Sequence, residues 1–156
     1  MRDSPMTSQP PTIPAACAHE AAHAVVALVL GRQVTYATSR PSEDCAGHVM
    51  VTGMCSWSAD RTDVLILLAG IVAELSAGYP IETSRYASDE DVCFARVILR
   101  SGLPRDRQWA YTDGVNQDLI AVFTESLQAV VQIVSEHWPW IEAVAHALTE
   151  RVGLQG

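Results

Sequence analysis

His19, Glu20 and His23 stand in an H-E-x-x-H pattern, His19-Glu20-Ala21-Ala22-His23. On a helix, residues four apart differ by about 40° around the axis, so His19 and His23 project from one face, one turn apart. Two imidazoles so placed can reach a single Zn2+ at ~2.0–2.1 Å. Glu20 sits about 100° round from His19. It can therefore flank a metal without binding it, take a proton from an attacking water and pass that proton to a leaving amine. A surface helix can carry the same three residues by chance. The residues that follow speak against that: Ala24, Val25, Val26, Ala27, Leu28, Val29 and Leu30 are all apolar. The helix should be largely buried, and two histidines and a glutamate on a buried helix need partners. A metal supplies them.

A catalytic zinc site takes a third protein ligand and leaves one position open. His48, Glu74, Asp89, Glu90 and Asp91 are the candidates, and spacing alone does not choose among them. The acids at 89–91 also fit the first turn of a helix capped by Ser88, where the dipole favours negative charge. His137 and His146 read as surface or packing residues. Trp57, Trp109, Trp138 and Trp140 read as core or interface anchors.

Five helices and two strands would position these residues. A first helix should span residues 14–30, with Pro14 at its first position and Gly31 just beyond its end. Strand-forming runs at 34–38 (VTYAT) and 48–52 (HVMVT) flank a turn-rich stretch and suggest an antiparallel pair. His48 opens the second strand. As an edge beside the metal, that strand could hold an extended peptide by main-chain hydrogen bonds. A second helix is expected over 59–77, capped by Ser58 and ended by Gly78 and Pro80. A third runs from the Ser88 cap to Ser101. A fourth spans 114–137, with Leu119, Val122, Phe123, Leu127, Val130, Val131 and Val134 at helical spacing. Pro139 should break the chain before a last helix bearing Ile141, Val144, Leu148 and Val152. The fold class expected is α+β, mainly α-helical. Residues 1–13 form a polar, Pro-rich lead-in and residues 14–156 a single domain.

Composition sets further bounds. The chain has 156 residues, 49% hydrophobic and 18% charged, enough for one real core. Its net charge of −8 disfavours nucleic acid and anionic lipid as partners. No apolar run approaches the ~20 residues of a membrane span, and the N-terminus has no signal-peptide core. Cys17, Cys45, Cys55 and Cys93 form no C-x-x-C pair and read as reduced, mostly buried thiols of a cytoplasmic protein.

Three segments together carry a resemblance. HEAAHA (19–24), LLAGIVAEL (67–75) and SDEDVCFARVILR (88–100) resemble, in order, three motifs in the peptidase domain of the FtsH-type membrane AAA proteases. Those are the HEAGHA helix, the AGRAAEE helix and the acidic segment that opens a helix ending in Ala-Arg. The tail segment AVAHALTERVGL is similar to the closing helix of that domain. The likeness spans about residues 14–154. It implies Asp91 as third zinc ligand, with Asp89 as the alternative should the alignment slip by two. It also implies a supporting role for Glu74 beside the zinc-bound histidines. Ala22 departs from the usual Gly, Ile71 from the Arg and Leu75 from the second Glu. There is no P-loop and no transmembrane segment, so the resemblance is to the peptidase part standing without its ATPase. What it implies is a zinc metalloendopeptidase for peptides or unfolded proteins, fed by a separate ATPase partner or assembled as a homo-oligomer. Two other functions fit the residues: a catalytically inactive zinc-binding interaction module, and a metallohydrolase for non-peptide amides. The intact Glu20 favours catalysis, since a structural zinc needs no base.

Overall fold

A computed structural model describes residues 12–40, 47–52, 60–80 and 90–153. Within them the chain forms α1 (Ala15–Val29), β1 (Gln33–Thr38), β2 (His48–Thr52), α2 (Arg61–Ser76), α3 (Glu90–Gly102), α4 (Gln117–Glu136) and α5 (Trp138–Gly153). The expected α+β, mainly helical class with one antiparallel strand pair is observed.

α1 is the central element. Its alanines favour helix intrinsically, and their small side chains let neighbours approach closely. Cys17, Ala18 and every residue from 20 to 27 are buried. α2 packs along one side of α1, α5 along another, and the β1–β2 hairpin covers part of the remainder. α4 lies on α2, and α3 packs against both α2 and α4. Ile13 is also buried, and the Tyr79 hydroxyl donates to its carbonyl at 2.7 Å. Packing therefore begins one residue before the expected domain boundary.

Both inner helices end in the same way. After α1, the amide of Gly31 donates to Leu28 and that of Arg32 to Ala27, with Gly31 at φ +79°. After α2, Gly78 donates to Leu75 and Tyr79 to Glu74, with Gly78 at φ +93°. These are Schellman closures, and glycine supplies the left-handed residue each requires.

Several helix starts differ from expectation. Pro14 is the N-cap of α1, not its first residue. α2 opens at Asp60 instead of Ser58. The Asp60 carboxylate accepts from the Thr62 and Asp63 amides, and the Asp63 carboxylate accepts from the Asp60 amide. The backbone bonds from Asp63 and Thr62 outweigh the effect of burial and hold the Asp60 carboxyl below its ordinary value. This reciprocal box is stronger than a lone serine cap. Arg32, just past α1, donates to Asp63 at 3.2 Å and so ties the end of α1 to the start of α2. α4 begins at Gln117, not at Gly114. Gly114 lies in a tight turn, and the buried Asn116 caps the helix by accepting from the Leu119 amide. α5 begins at Trp138 and contains Pro139 in its first turn, where no amide is needed. The break falls at His137 instead.

Some predicted core residues are exposed. Trp109 is 67% and Trp140 63% exposed, so neither is a core anchor. The Arg100 guanidinium covers the Trp109 ring at 4.8 Å. Trp138 does pack against the core. Val131 is 49% exposed, and Cys93 is exposed where Cys17 is buried. Ser58, Trp57, Cys45, Cys55 and Ser88 lie outside the described residues.

Asp63 is nearly fully buried and serves two helices at once. Asp63→Ala should lower unfolding stability by about 1–3 kcal/mol, through loss of the cap return and of the Arg32 bond. Urea unfolding measures this, and a midpoint equal to the parent's would refute the role assigned to the box.

Candidate metal centre

α1 presents His19 and His23 toward α2, and Glu20 toward the chain entering β2. The His19 ring lies against Gly70 so closely that a Cβ there would stand 2.6 Å from Cδ2, Cε1 and Nε2 of the ring. A lone glycine in an apolar helix costs about 1 kcal/mol relative to alanine. Here it makes room for an imidazole.

Each ring is fixed through its Nδ1. His19 Nδ1 lies 2.7 Å from Glu74 Oε1, and His23 Nδ1 lies 2.7 Å from the Ile66 carbonyl oxygen. A carbonyl can only accept, so His23 Nδ1 carries the hydrogen. A carboxylate partner sets the same tautomer on His19. Both rings are thus turned so that Nε2 faces a common point.

Asp91 closes that point from the first turn of α3, which Val92 and Ala95 anchor against its neighbours. Its Oδ2 lies 3.3 Å from His19 Nε2 and 3.1 Å from His23 Nε2. One donor atom from each of the three residues falls within 4.8 Å of the others. Two ligand atoms each ~2.0–2.1 Å from a tetrahedral ion are separated by about 3.3 Å. The two separations from Asp91 to the imidazole nitrogens match. Orienting each imidazole through its other nitrogen is also what metal-binding histidines require. The residues present therefore fit a divalent metal.

Glu20 is buried and does not join the triad. A Cβ at Gly47 would stand 2.8 Å from its Cγ and Oε1, so the backbone entering β2 closes over the carboxylate. Burial pushes the Glu20 carboxyl above its ordinary value, and the His23 and His19 imidazoles pull it partly back. His48 stands on β2, exposed, with its ring 5.4 Å from that of Tyr36. It, Glu74 and Glu90 are not part of the triad. Asp89 lies outside the described residues.

Sequence reasoning named His19, Glu20, His23, Asp91 and Glu74, and the structure brings all five together. It missed the Ile66 carbonyl, Gly70 and Gly47. Gly70 gave a signal, as an isolated glycine inside an apolar helix. The carbonyl gave none, because any residue would supply it.

No known family model matches this chain, and no curated protein matches it.

The electrostatics make a prediction about metal uptake. Burial acts to lower the His19 imidazole, but the Asp91 and Glu74 carboxylates and nearby Glu20 overcome it and push the group up to about 10. The hydrogen bonds from His19 and His23 likewise outweigh burial at Asp91 and hold its carboxyl well below the usual carboxylate range. At pH 7 the metal-free His19 is therefore protonated on Nε2, and a metal must displace that proton. Zinc binding should release about one proton or more per chain and weaken as pH falls. Titration calorimetry in buffers of different ionisation enthalpy reads this directly. A binding enthalpy independent of the buffer would contradict it.

Proposed function

We propose that this chain is a zinc metallopeptidase domain of the FtsH type, acting on peptides or unfolded proteins. The observation that carries the reading is the convergence of His19, His23 and Asp91, with the buried Glu20 beside them but not among them. A purely structural site would close its fourth position with a further ligand. Here the triad supplies three donors, and a carboxylate suited to proton transfer stands alongside. The order of the three motifs in the sequence supports the same family.

His19, His23 and Asp91 would hold the zinc, and Glu74 and the Ile66 carbonyl would keep both imidazoles in the binding tautomer. Bound zinc supplies Lewis acidity, polarising a carbonyl and lowering the pKa of water towards ~7. Glu20 accepts the proton of the attacking water. Its carboxyl, raised by burial, then donates that proton to the leaving amine nitrogen. The Gly47 backbone keeps one side of Glu20 from solvent. Asp91 is the least buried of the three ligands, with 32% of its side chain exposed, and so marks the side from which substrate enters.

Glu20→Gln tests this reading. The variant should retain zinc at about one ion per chain. It should lose casein hydrolysis by at least ~100-fold, the usual scale of a lost general base. A chelator should abolish the parent's activity. A Gln variant as active as the parent would remove Glu20 from the mechanism. A parent that binds zinc without cleaving casein or any member of a peptide library would leave the interaction module as the function.

A further inference from the structure

Positive charge is unevenly placed on this acidic chain. It has no lysine, and four of its ten arginines, Arg96, Arg100, Arg105 and Arg107, fall within residues 96–111, where Asp106 is the one acid. The remainder of the chain is therefore more negative than the net −8 of the whole. The helix dipole accounts for Arg100, in the last turn of α3. It does not account for Arg96, or for Arg105, which follows the helix.

Arg96, Arg100 and Arg105 form no ion pair with any described residue, whereas Arg107 faces Asp118 at 3.5 Å. Arg96 and Arg100 stand one turn apart on α3. The Arg96 guanidinium covers the Phe123 ring at 5.5 Å, as that of Arg100 covers the Trp109 ring. Trp109 nonetheless stays mostly exposed, and Tyr111 is 47% exposed. The loop that carries both rings is braced from inside. The Gln108 side-chain amide donates to the Leu103 carbonyl at 2.9 Å, the buried Asn116 amide donates to the Arg107 carbonyl at 2.9 Å, and Thr112 and Val115 exchange backbone bonds. Exposed rings and unpaired guanidiniums are thus held in place before anything binds, which lowers the ordering cost of binding. Arginine, tryptophan and tyrosine are also the residues that most often carry the energy of protein interfaces.

Charge selects the occupant. A guanidinium can meet a carboxylate with two parallel bonds, and one stacked on a ring keeps its donors in a fixed plane. A nucleic acid also offers anions, but a strand longer than the patch would run onto the acidic remainder of the surface. A short peptide tract need not. We propose that Arg96, Arg100, Arg105, Trp109 and Tyr111 form a docking surface for an extended acidic segment of a partner protein. Its carboxylates meet the arginines, and an aromatic side chain between them packs on Trp109. The proposal concerns binding alone and does not rest on the catalytic reading.

Fluorescence anisotropy tests it, with a short fluorescein-labelled peptide of alternating glutamate and tyrosine titrated with the full chain. Binding should saturate below about 1 mM and weaken as salt rises. Arg105→Glu and Trp109→Ala should each raise Kd about tenfold or more. Both residues are exposed, so circular dichroism should show intact helices. Arg151→Glu makes the same charge change beside Arg40, outside the patch, and should shift Kd less than about twofold. Absence of saturable binding, an Arg151→Glu variant weakened as much as Arg105→Glu, or a Trp109→Ala variant that binds like the parent would overturn the proposal. So would tighter binding of a labelled oligothymidylate of the same length, which would make the surface a nucleic-acid site.

Discussion

The structure turns on one constraint: two imidazoles and a carboxylate are buried between apolar helices and must be satisfied there. An unpaired polar group in such a place costs about 1–3 kcal/mol, and more when charged. α1 is otherwise alanine, valine and cysteine along its buried faces. Three elements answer the polar cluster. α2 gives a carbonyl at Ile66, space at Gly70 and a carboxylate at Glu74. α3 gives the Asp91 carboxylate. The chain entering β2 gives the close cover of Gly47. Removing a carbonyl or carboxylate from this set leaves a buried ring nitrogen without its partner.

Rigidity is graded around the site. α1 and α2 are joined along their length, closed at their ends by matching glycine turns, and tied by Arg32 to the capping box at Asp60 and Asp63. Glu74 illustrates the result. Its carbonyl accepts the closing bond from the Tyr79 amide while its side chain orients His19. The two histidines thus belong to a fixed unit. Asp91 stands on a helix with two buried residues, Val92 and Ala95. The third ligand arrives from the less embedded element, on the side open to solvent.

Much of this was legible in the sequence, for physical reasons that can be named. Helical spacing put His19 and His23 on one face, and the apolar run after them required a buried helix. The strand pair followed from β-branched runs on either side of a turn-rich stretch. Asp91 was not legible from spacing, because an acidic first turn explains Asp89, Glu90 and Asp91 equally well. Only the likeness to a known motif order singled it out. Helix starts were misplaced where a reciprocal carboxylate box at Asp60 or a buried Asn116 out-competed the nearer serine or glycine. Trp109 and Trp140 are exposed, which excludes the core half of their expected role, because hydrophobicity alone does not fix burial. Val131 shares the helical spacing of the inward residues yet is 49% exposed, because spacing alone does not say which residues turn inward.

Anomalous diffraction at the zinc edge, from crystals of the chain purified with zinc, tests the central claim most directly. One peak per chain is expected, bonded by Nε2 of His19, Nε2 of His23 and the Asp91 carboxylate, with Glu20 outside the coordination shell. A peak with other ligands, or a well-ordered site without a metal in crystals grown in excess zinc, would contradict it.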